Sequence, residues 1–377
     1  MRTDLPEPSR AELEHSARLT DLIRAEIAAA GGAIDFARYM ELALYAPGLG
    51  YYSAGATKFG AAGDFVTAPE LGVVFARCLA RAIAPVLRVT GGDVLELGPG
   101  SGALAVALLA ELERLGALPT RYRLLERSAD LRQRQRARVM QHCPHLEKTV
   151  EWLDAPPARA WDGVLVANEV IDALPVRLFA VRDDGLFARG VALDASGALA
   201  WHEAPADAAL SASVQDALGD RLPALPRPYR SEVRPLLAPW LAEVARTLRR
   251  GRALIVDYGF PNAAYYAPER RAGTLRCHFR HRAHDDPLLW PGLQDITAWV
   301  DFDALHAAAR SAGFGEWAES SQAQFLIEHG LDEVFAQAHA AAADEAQRYR
   351  LAREIKRLTL PGQMGEAFRV AAFARSP

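Results

Sequence analysis

One stretch, residues 94–105, constrains the fold of this chain more than any other. It reads Val-Leu-Glu-Leu-Gly-Pro-Gly-Ser-Gly-Ala-Leu-Ala, so an apolar run ends in an acid and a leucine, and glycine then follows at every second position. Glycine is needed where a backbone turns sharply or approaches a ligand closely. A strand, a glycine turn and a helix form the opening unit of a doubly wound α/β domain. We therefore predict a strand at about Asp93–Leu97 and a helix from about Gly102 to Leu115.

The glycine spacing also indicates the kind of ligand. The order is Gly-x-Gly-x-Gly, whereas dinucleotide-binding proteins carry Gly-x-Gly-x-x-Gly. Pro99 has no N–H to offer a pyrophosphate, and Glu96 places at the strand end a carboxylate that repels phosphate and attracts a cation. S-adenosylmethionine carries an ammonium and a sulfonium group but no phosphate, so it fits the loop from Gly98 through Gly100 to Gly102 better than NAD does. An ordinary glycine-rich turn is the alternative.

A second acid follows the next predicted strand, Arg121–Glu126. In a doubly wound sheet, ligands lie beyond the carboxyl ends of the strands. Glu126 there suits the two ribose hydroxyls of an adenosyl group, through charge-assisted hydrogen bonds. The alternative is an acid that is favoured only by the dipole of the following helix, which Ser128 caps.

Three polar residues follow the fully apolar strand at 163–167. They are Asn168, Glu169 and Asp172, and polar groups in such a place cost free energy unless they are used. Glu169 and Asp172 are predicted to hold a cationic methyl acceptor or accept its proton, while Asn168 orients it. The alternative is a helix start, with Asn168 as the N-cap and the two acids in the first turn.

The pattern along the chain divides it into four parts. Residues 1–90 predict helices and a glycine-rich loop that pack on the core, and 91–174 the first part of the Rossmann-like domain. Residues 175–232 alternate like an inserted antiparallel hairpin. Residues 233–377 complete the Rossmann-like domain, with a polar substrate loop at 258–297 and a helical insertion at 326–360.

Two loops carry further candidates. The long loop at 47–68 is expected to be functional, and we assign its Asp64 and Thr67 to the cofactor site. In the second loop, His278, His281 and His284 have metal-ligand character. However, the arginines between them place positive charge among the ligands, so we predict no metal and a polar lid or substrate loop.

Composition excludes several classes of protein. The net charge is −4 and no apolar stretch is long enough for a bilayer, so neither a nucleic-acid partner nor membrane insertion is expected. The three cysteines are far apart and read as reduced thiols, and Met1–Arg10 resembles no targeting peptide, so we predict a cytoplasmic protein. The oligomeric state, a dimer included, stays open.

Several motifs together resemble one family, the MidA family of class I S-adenosylmethionine-dependent methyltransferases. The motifs, in chain order, are Gly50-Tyr51-Tyr52, Gly63-Asp64-Phe65-Val66-Thr67-Ala68-Pro69-Glu70, Glu96-Leu97-Gly98-Pro99-Gly100-Ser101-Gly102, Asn168-Glu169-Val170-Ile171-Asp172-Ala173-Leu174-Pro175, Asp257-Tyr258-Gly259, Gly273-Thr274-Leu275-Arg276, Asp295-Ile296-Thr297, Ser321-Gln322 to Phe325-Leu326 and Met364-Gly365-Glu366-Ala367-Phe368. The resemblance implies an α/β fold with a seven-stranded Rossmann-like sheet whose last strand is antiparallel, with added helices. It also implies methylation of an arginine in a respiratory complex I subunit, as in mitochondrial members.

The expectation is therefore an S-adenosylmethionine-dependent methyltransferase with a protein substrate, releasing S-adenosylhomocysteine. The cofactor would be held by Glu96, Gly98, Pro99, Gly100, Gly102, Glu126, Asp64 and Thr67. Two alternatives stay open: a non-catalytic assembly factor on the same fold, and an enzyme with a small-molecule acceptor. A nicotinamide dehydrogenase is disfavoured by Pro99 and the glycine spacing.

Overall fold

The computed structural model describes residues 5–54 and 68–376. The chain divides into two compact units, and each of them is built from three separate stretches of the sequence. The first unit comprises Met1–Phe65, Asp172–Pro239 and Phe260–Leu305, and the second comprises Val66–Ile171, Trp240–Gly259 and His306–Pro377. In the described residues no helix is both long and apolar enough to cross a membrane.

The described helices and strands alternate along much of the chain. The helices are α1 (Arg10–Ala29), α2 (Phe36–Tyr45), α3 (Ala68–Leu71), α4 (Val74–Thr90), α5 (Ala103–Arg114), α6 (Ala129–His142), α7 (Ala208–Leu218), α8 (Leu237–Val244), α9 (Asn262–Tyr265), α10 (Phe302–Ser311), α11 (Gln322–Glu328), α12 (Leu331–Ala341), α13 (Glu345–Thr359) and α14 (Met364–Ala367). The strands are β1 (Ala33–Asp35), β2 (Asp93–Leu97), β3 (Tyr122–Leu125), β4 (Val150–Leu153), β5 (Trp161–Asn168), β6 (Arg177–Arg182), β7 (Gly185–Leu193), β8 (Leu199–Pro205), β9 (Tyr229–Val233), β10 (Leu248–Phe260), β11 (Arg276–Phe279), β12 (Arg282–His284), β13 (Asp295–Thr297), β14 (Val300–Asp301), β15 (Trp317–Ser321) and β16 (Phe368–Arg375).

The second unit is built on a mostly parallel sheet. The path through its seven main strands runs β15-β16-β10-β5-β2-β3-β4. β10, β5, β2, β3 and β4 are parallel, and β16 is antiparallel to both of its neighbours. This is the doubly wound arrangement that the glycine turn predicts, with the antiparallel last strand that the family resemblance implies.

Burial on both faces explains why the central strands are so apolar. All five residues of β2 are buried, as are residues 163–167 of β5. Side chains of α4 and α5, among them Phe75, Leu79, Leu108 and Leu109, form one hydrophobic cluster with these strands. The sheet therefore fixes the positions of its strand ends firmly, and the candidate site is located at those ends.

The first unit is mainly antiparallel. β1, β7, β6 and β9 form one sheet in that order, and β8 pairs with β7. The predicted insertion at 175–232 is thus largely this sheet, but its strands share their unit with α1 and α2 rather than forming a separate part. Buried residues of α1, α2 and the sheet form one cluster, which includes Leu19, Phe36, Met40 and Val191.

Residues 258–297, predicted as a loop of the Rossmann-like domain, lie mostly in the first unit and contain a three-stranded sheet, β12-β11-β13. These strands have only three or four residues each, and a stretch this short gives no clear alternation of polar and apolar residues from which a strand could be predicted. The helical insertion predicted at 326–360 consists of the three helices α11, α12 and α13, and the first of them begins at Gln322, four residues earlier than predicted.

The helical segment that contains α3 and α4 is interrupted between Leu71 and Val74 for a clear reason. Glu354 of α13 is only 6 % exposed and accepts a hydrogen bond of 2.7 Å from the Val74 N–H, at the start of α4. A Cβ on Gly72 would lie 2.0 Å from a carboxylate oxygen of Glu354. The buried carboxylate thus takes over the N-terminal N–H group of α4 and ends α3 before it.

We expect the substitution Glu354→Gln to stabilise the protein at high pH. Burial raises the pKa of Glu354 to about 7, although the Val74 N–H lowers it in part. The folded state therefore binds the proton more tightly than the unfolded state, and stability is lost as pH rises from the unfolded pKa of 4.5 through about 7. At about pH 8.5 the gain from removing the ionisation is on the order of 3 kcal/mol at most, and below about pH 4.5 it disappears.

Urea unfolding of the variant and the wild type at about pH 5 and about pH 8.5 measures this difference. The matched control is Glu345→Gln on the same helix, because Glu345 is exposed and should change stability by less than about 0.5 kcal/mol at either pH. An equal effect of Glu354→Gln at both pH values would contradict the argument.

Candidate active site

The glycine turn predicted from the sequence lies between β2 and α5 in the second unit. Gly98, Gly100 and Gly102 all adopt positive φ, at 57°, 52° and 79°. The Gly102 N–H donates to the Pro99 carbonyl at 2.8 Å, which closes the turn. A Cβ on Gly98 would lie 3.1 Å from Cγ2 of Val170. The loop is therefore left-handed at alternate residues, and it runs close to the segment that follows β5.

Two helices hold Ser101 of this loop from outside. The Ser101 hydroxyl bonds to the carboxylate of Glu70 in α3, and Nη1 of Arg138 in α6 donates to Ser101 Oγ at 2.9 Å. Arg138 also lies 3.5 Å from Glu70. Side chains from two helices outside the loop thus hold Ser101 in place.

Glu126 follows β3, as predicted, and lies near the same loop. Its Oε1 accepts the Ser128 N–H at 2.8 Å, and its Oε2 accepts Nε2 of Gln135 at 3.4 Å. Burial raises the pKa of Glu126, and these hydrogen bonds act in the opposite direction. Glu126 and the helix start are therefore linked, so a ligand role and a role at the start of α6 are compatible.

Gln135 is a residue of the site that the sequence reasoning missed. It is fully buried, and its Nε2 donates to the Gly100 carbonyl at 2.9 Å as well as to Glu126. The available signal was its position on α6, where Leu131, Gln135 and Val139 are the buried residues at a spacing of four. A polar residue in the middle of a buried stripe needs partners.

Glu96 differs from the expectation of an accessible negative charge. It is 2 % exposed and accepts a hydrogen bond of 2.6 Å from the Tyr122 hydroxyl of the neighbouring strand. Burial raises the pKa of Glu96 to about 7, and the Tyr122 bond offsets only part of this. Its described contact is thus inside the sheet, directly before the glycine turn.

The polar residues after β5 do not start a helix. Residues 169–176 form bends and turns, and Glu169 has a φ of 53°, which is uncommon for a residue with a side chain. The N-cap alternative is therefore wrong. Nδ2 of Asn168 donates to Glu169 Oε1 at 3.1 Å, and Asn168 Oδ1 is buried with no hydrogen-bond partner in the part of the chain that the structure describes.

Asp257, three residues before the end of β10, fixes this strained turn. It is fully buried, and its carboxylate accepts the N–H groups of Ile171 and Tyr258, each at 2.9 Å. The Glu169 N–H donates to the Val256 carbonyl at 2.8 Å. The backbone on both sides of Glu169 is thus tied to the neighbouring strand, which holds the unusual φ in place.

Asp172 is the first residue of its segment in the first unit, and it is 5 % exposed. Its carbonyl accepts the Ala298 N–H at 3.0 Å. Within the same unit, Tyr52 donates to Asp295 at 2.9 Å, and burial together with the charges of Asp295 and Asp172 raises the pKa of Tyr52. Asp172 is therefore near a second carboxylate in a buried aromatic environment.

The remaining candidates have different outcomes. Asp64 and Thr67 lie outside the described residues. His278 and His284 lie on β11 and β12, and His281 is in the turn between them with a φ of 62°. Burial lowers the pKa of both His278 and His284, so the neutral form is favoured in each.

The chemistry of the loop fits a cationic adenosyl compound. Glu70 and Glu126 place carboxylates beside the loop, and the nearby cation Arg138 is already bonded to Ser101 and Glu70. A pyrophosphate needs cations and N–H donors at such a turn, whereas a sulfonium and an ammonium are attracted by carboxylates. The fold and this loop define the class: a Rossmann-like methyltransferase of the S-adenosylmethionine-dependent type.

Comparisons with known proteins agree with this class. The family described as S-adenosyl-L-methionine-dependent methyltransferases matches residues 78–316, more than half of the chain. A crystal structure from Burkholderia thailandensis, solved with S-adenosyl-homocysteine bound, is 43% identical with a TM-score of 0.92, over 99% of this chain and 95% of that chain. The protein arginine methyltransferase NDUFAF7 of Rattus norvegicus is 28% identical over 89% of this chain and 80% of its own length, and the homologue of Drosophila melanogaster is 28% identical over 97% and 86%.

The chain belongs to the MidA family of S-adenosylmethionine-dependent methyltransferases. The predicted α/β fold class, the enzyme class and the cofactor are thereby confirmed. The prediction of a cytoplasmic protein is contradicted, because the rat, mouse and human relatives are mitochondrial proteins. Reduced cysteines, on which that prediction partly rested, indicate only a reducing compartment and do not distinguish one such compartment from another.

Proposed function

We propose that this enzyme transfers a methyl group to an arginine side chain of a protein. The closeness of Gly98 to Val170, whose Cγ2 would lie 3.1 Å from a Cβ on Gly98, carries the proposal, because it places the Asn168–Val170 turn at the edge of the glycine loop. Two polar side chains there, a carboxylate and an amide with an unpartnered buried oxygen among the described residues, can accept hydrogen bonds from a guanidinium. The names of the rat and fly relatives support the same acceptor.

The proposed roles follow from charge and geometry. When bound, S-adenosylmethionine supplies an electrophilic methyl group on a sulfonium. Glu169 accepts N–H bonds from the guanidinium and holds one nitrogen in line with the methyl group, while Asn168 Oδ1 fixes the plane of the acceptor. Transfer would break the sulfur–methyl bond and leave S-adenosylhomocysteine, while the arginine nitrogen gains the methyl group and loses one proton to Glu169 or to water, so the methylated guanidinium keeps its positive charge. No strong base is needed before the bond forms.

Asp172 supports a cationic acceptor by its own surroundings. Within the first unit it lies near Asp295 and the stacked rings of Tyr45 and Tyr52, whose centroids are 5.6 Å apart. Carboxylates and tyrosine rings both attract a guanidinium. We propose that Asp172 attracts the acceptor, and the family resemblance suggests a respiratory complex I subunit as that acceptor.

The purified protein should methylate arginine in a protein extract from cells that lack it. The extract is incubated with S-adenosylmethionine carrying an isotope-labelled methyl group, and digested proteins are searched by mass spectrometry for labelled methylarginine. Label in arginine of one or a few proteins is the expected result. Label only on another residue type or on small molecules would contradict the arginine proposal while leaving the methyltransferase class intact.

A heat-inactivated sample is the first control. A non-catalytic assembly factor, the alternative that the sequence left open, would bind S-adenosylhomocysteine in a calorimeter without any label transfer. Binding and transfer are therefore measured on the same preparation, so that loss of the pocket and lack of the right acceptor are distinguished.

A further inference from the structure

Gln135 occupies a position between two parts of the candidate cofactor site. Its side-chain nitrogen donates to the carbonyl of Gly100 at 2.9 Å and to the carboxylate of Glu126 at 3.4 Å. Gly100 belongs to the loop after β2 and Glu126 follows β3, so one amide group links two strand ends. The residue is fully buried.

The orientation of the amide is fixed by chemistry. The indole Nε1–H of Trp152 lies 3.0 Å from Gln135 Oε1, and an indole N–H can only donate. The atom facing Trp152 is therefore the amide oxygen, and both N–H groups must face Gly100 and Glu126. A flipped amide would place oxygen against a carbonyl and a carboxylate, which are both acceptors.

The backbone of α6 also lies very close to the loop. A Cβ on Gly102 would be 3.2 Å from Cγ of Gln135 and 3.4 Å from its Cα. The loop has little room to shift toward α6, and the hydrogen bond to Gly100 prevents it from shifting away. The Gln135 bond also lowers the pKa of Glu126, against the larger effect of burial, which raises it.

We propose that Gln135 is a positioning residue for the cofactor: it holds the Glu126 carboxylate and the Gly100 backbone in one fixed relation. This rests on the assignment of Glu126 to the ribose and of Gly98–Gly102 to the rest of the adenosyl compound. Without the amide, Glu126 can rotate and the loop can relax, so the site must be ordered each time the ligand binds. Affinity falls as a result, whereas the transfer step itself is unchanged once the ligand is bound.

The test measures binding of S-adenosylhomocysteine by calorimetry, which needs no methyl acceptor. Gln135→Met keeps the length of the side chain and suits its buried stripe, and it should weaken binding about tenfold. Gln135→Glu places a carboxylate against Glu126 and should weaken binding about a hundredfold. The matched control is Gln133→Met on the same helix, because Gln133 is exposed and should leave binding within about twofold of the wild type.

Two further measurements separate positioning from simple support of the fold. With the arginine acceptor, Gln135→Met should raise KM for S-adenosylmethionine about tenfold and change kcat less than about threefold. In the background of Glu126→Gln, the same substitution should cost less than about threefold in affinity, because its partner is already altered. Trp152→Phe leaves Gln135 in place but frees the amide to flip, and about threefold weaker binding is expected.

Wild-type affinity in a folded Gln135→Met protein would overturn the proposal. It would also be overturned if the fold-loss of affinity in the double variant with Glu126→Gln equalled the product of the two single losses, because the two residues would then act independently. Should Gln135→Met fail to fold, unchanged affinity in Trp152→Phe would overturn it as well. Since the binding measurement is independent of the acceptor, a wrong arginine assignment would leave all these results unaffected.

Discussion

The substitution Glu169→Gln should lower kcat for arginine methylation about 10²- to 10³-fold, with S-adenosylmethionine affinity within about threefold of the wild type. The amide keeps the shape of the carboxylate but loses the charge that attracts and orients the guanidinium. The glycine loop and Glu126 are unchanged by the substitution, so cofactor binding should remain. Steady-state kinetics with the acceptor found in the extract, together with calorimetry, measures both quantities.

A second variant at this position separates chemistry from backbone strain. Glu169 has a φ of 53°, and a residue with a Cβ loses about 1 kcal/mol or more in that region. Glu169→Gly removes this strain, so this variant should be as stable as the wild type. Its methylation activity should be as low as that of Glu169→Gln. Full activity of Glu169→Gln would show that the carboxylate has no part in the reaction. Activity lost only together with the folded structure would assign Glu169 a structural role.

The parts of the fold that the sequence predicts well are those with strong local signals. The strand expected at Asp93–Leu97 has these bounds in the structure, since apolar residues and the glycine turn define it from both sides. Ser128 was expected to cap the following helix, and its hydroxyl accepts the Leu131 N–H at the start of α6. In these places a few neighbouring residues are enough to determine the conformation.

Contacts between strands could not be predicted in the same way. Glu96 reads as an acid at a strand end, and its position next to an open site follows from that pattern. Its hydroxyl partner Tyr122 is on the neighbouring strand, where Glu96 is paired with Leu124. The burial of the carboxylate thus depends on how the two strands pair, which cannot be read from the residues around Glu96. Burial raises the pKa of Glu96, which weakens the attraction of a cation that the sequence predicted.

The polar turn after β5 illustrates a related limit. Asn168 followed by two acids reads equally as a helix cap and as a functional strand end. The choice is made by Asp257, which is 86 residues away from Ile171 in sequence and takes its N–H, so that the chain turns instead of forming a helix. Long-range hydrogen bonds of this kind determine the geometry of a site, whereas the sequence alone determines only which residue types are available there.

The substitution Gly98→Ala should lower S-adenosylhomocysteine affinity at least about tenfold and reduce stability by about 1–2 kcal/mol. The methyl group adds two costs, which are the left-handed φ of 57° and a contact of 3.1 Å with Cγ2 of Val170. The backbone of the turn that is expected to hold the cofactor must shift to reduce either the unfavourable φ or the close contact. Calorimetry and urea unfolding measure the two effects separately.

Matched variants assign the loss of affinity to the site. Gly91→Ala has nearly the same φ, 59°, but its Cβ would have nothing within 4 Å. It should therefore cost about 1 kcal/mol of stability through its φ alone and leave binding unchanged. The double variant Gly98→Ala with Val170→Ala removes the contact but keeps the unfavourable φ, so it should recover part of the affinity. If Gly98→Ala bound S-adenosylhomocysteine with wild-type affinity, the loop from Gly98 to Gly102 would not form the cofactor site. If Gly98→Ala and Gly91→Ala lost affinity to the same extent, the loss would be due to general destabilisation.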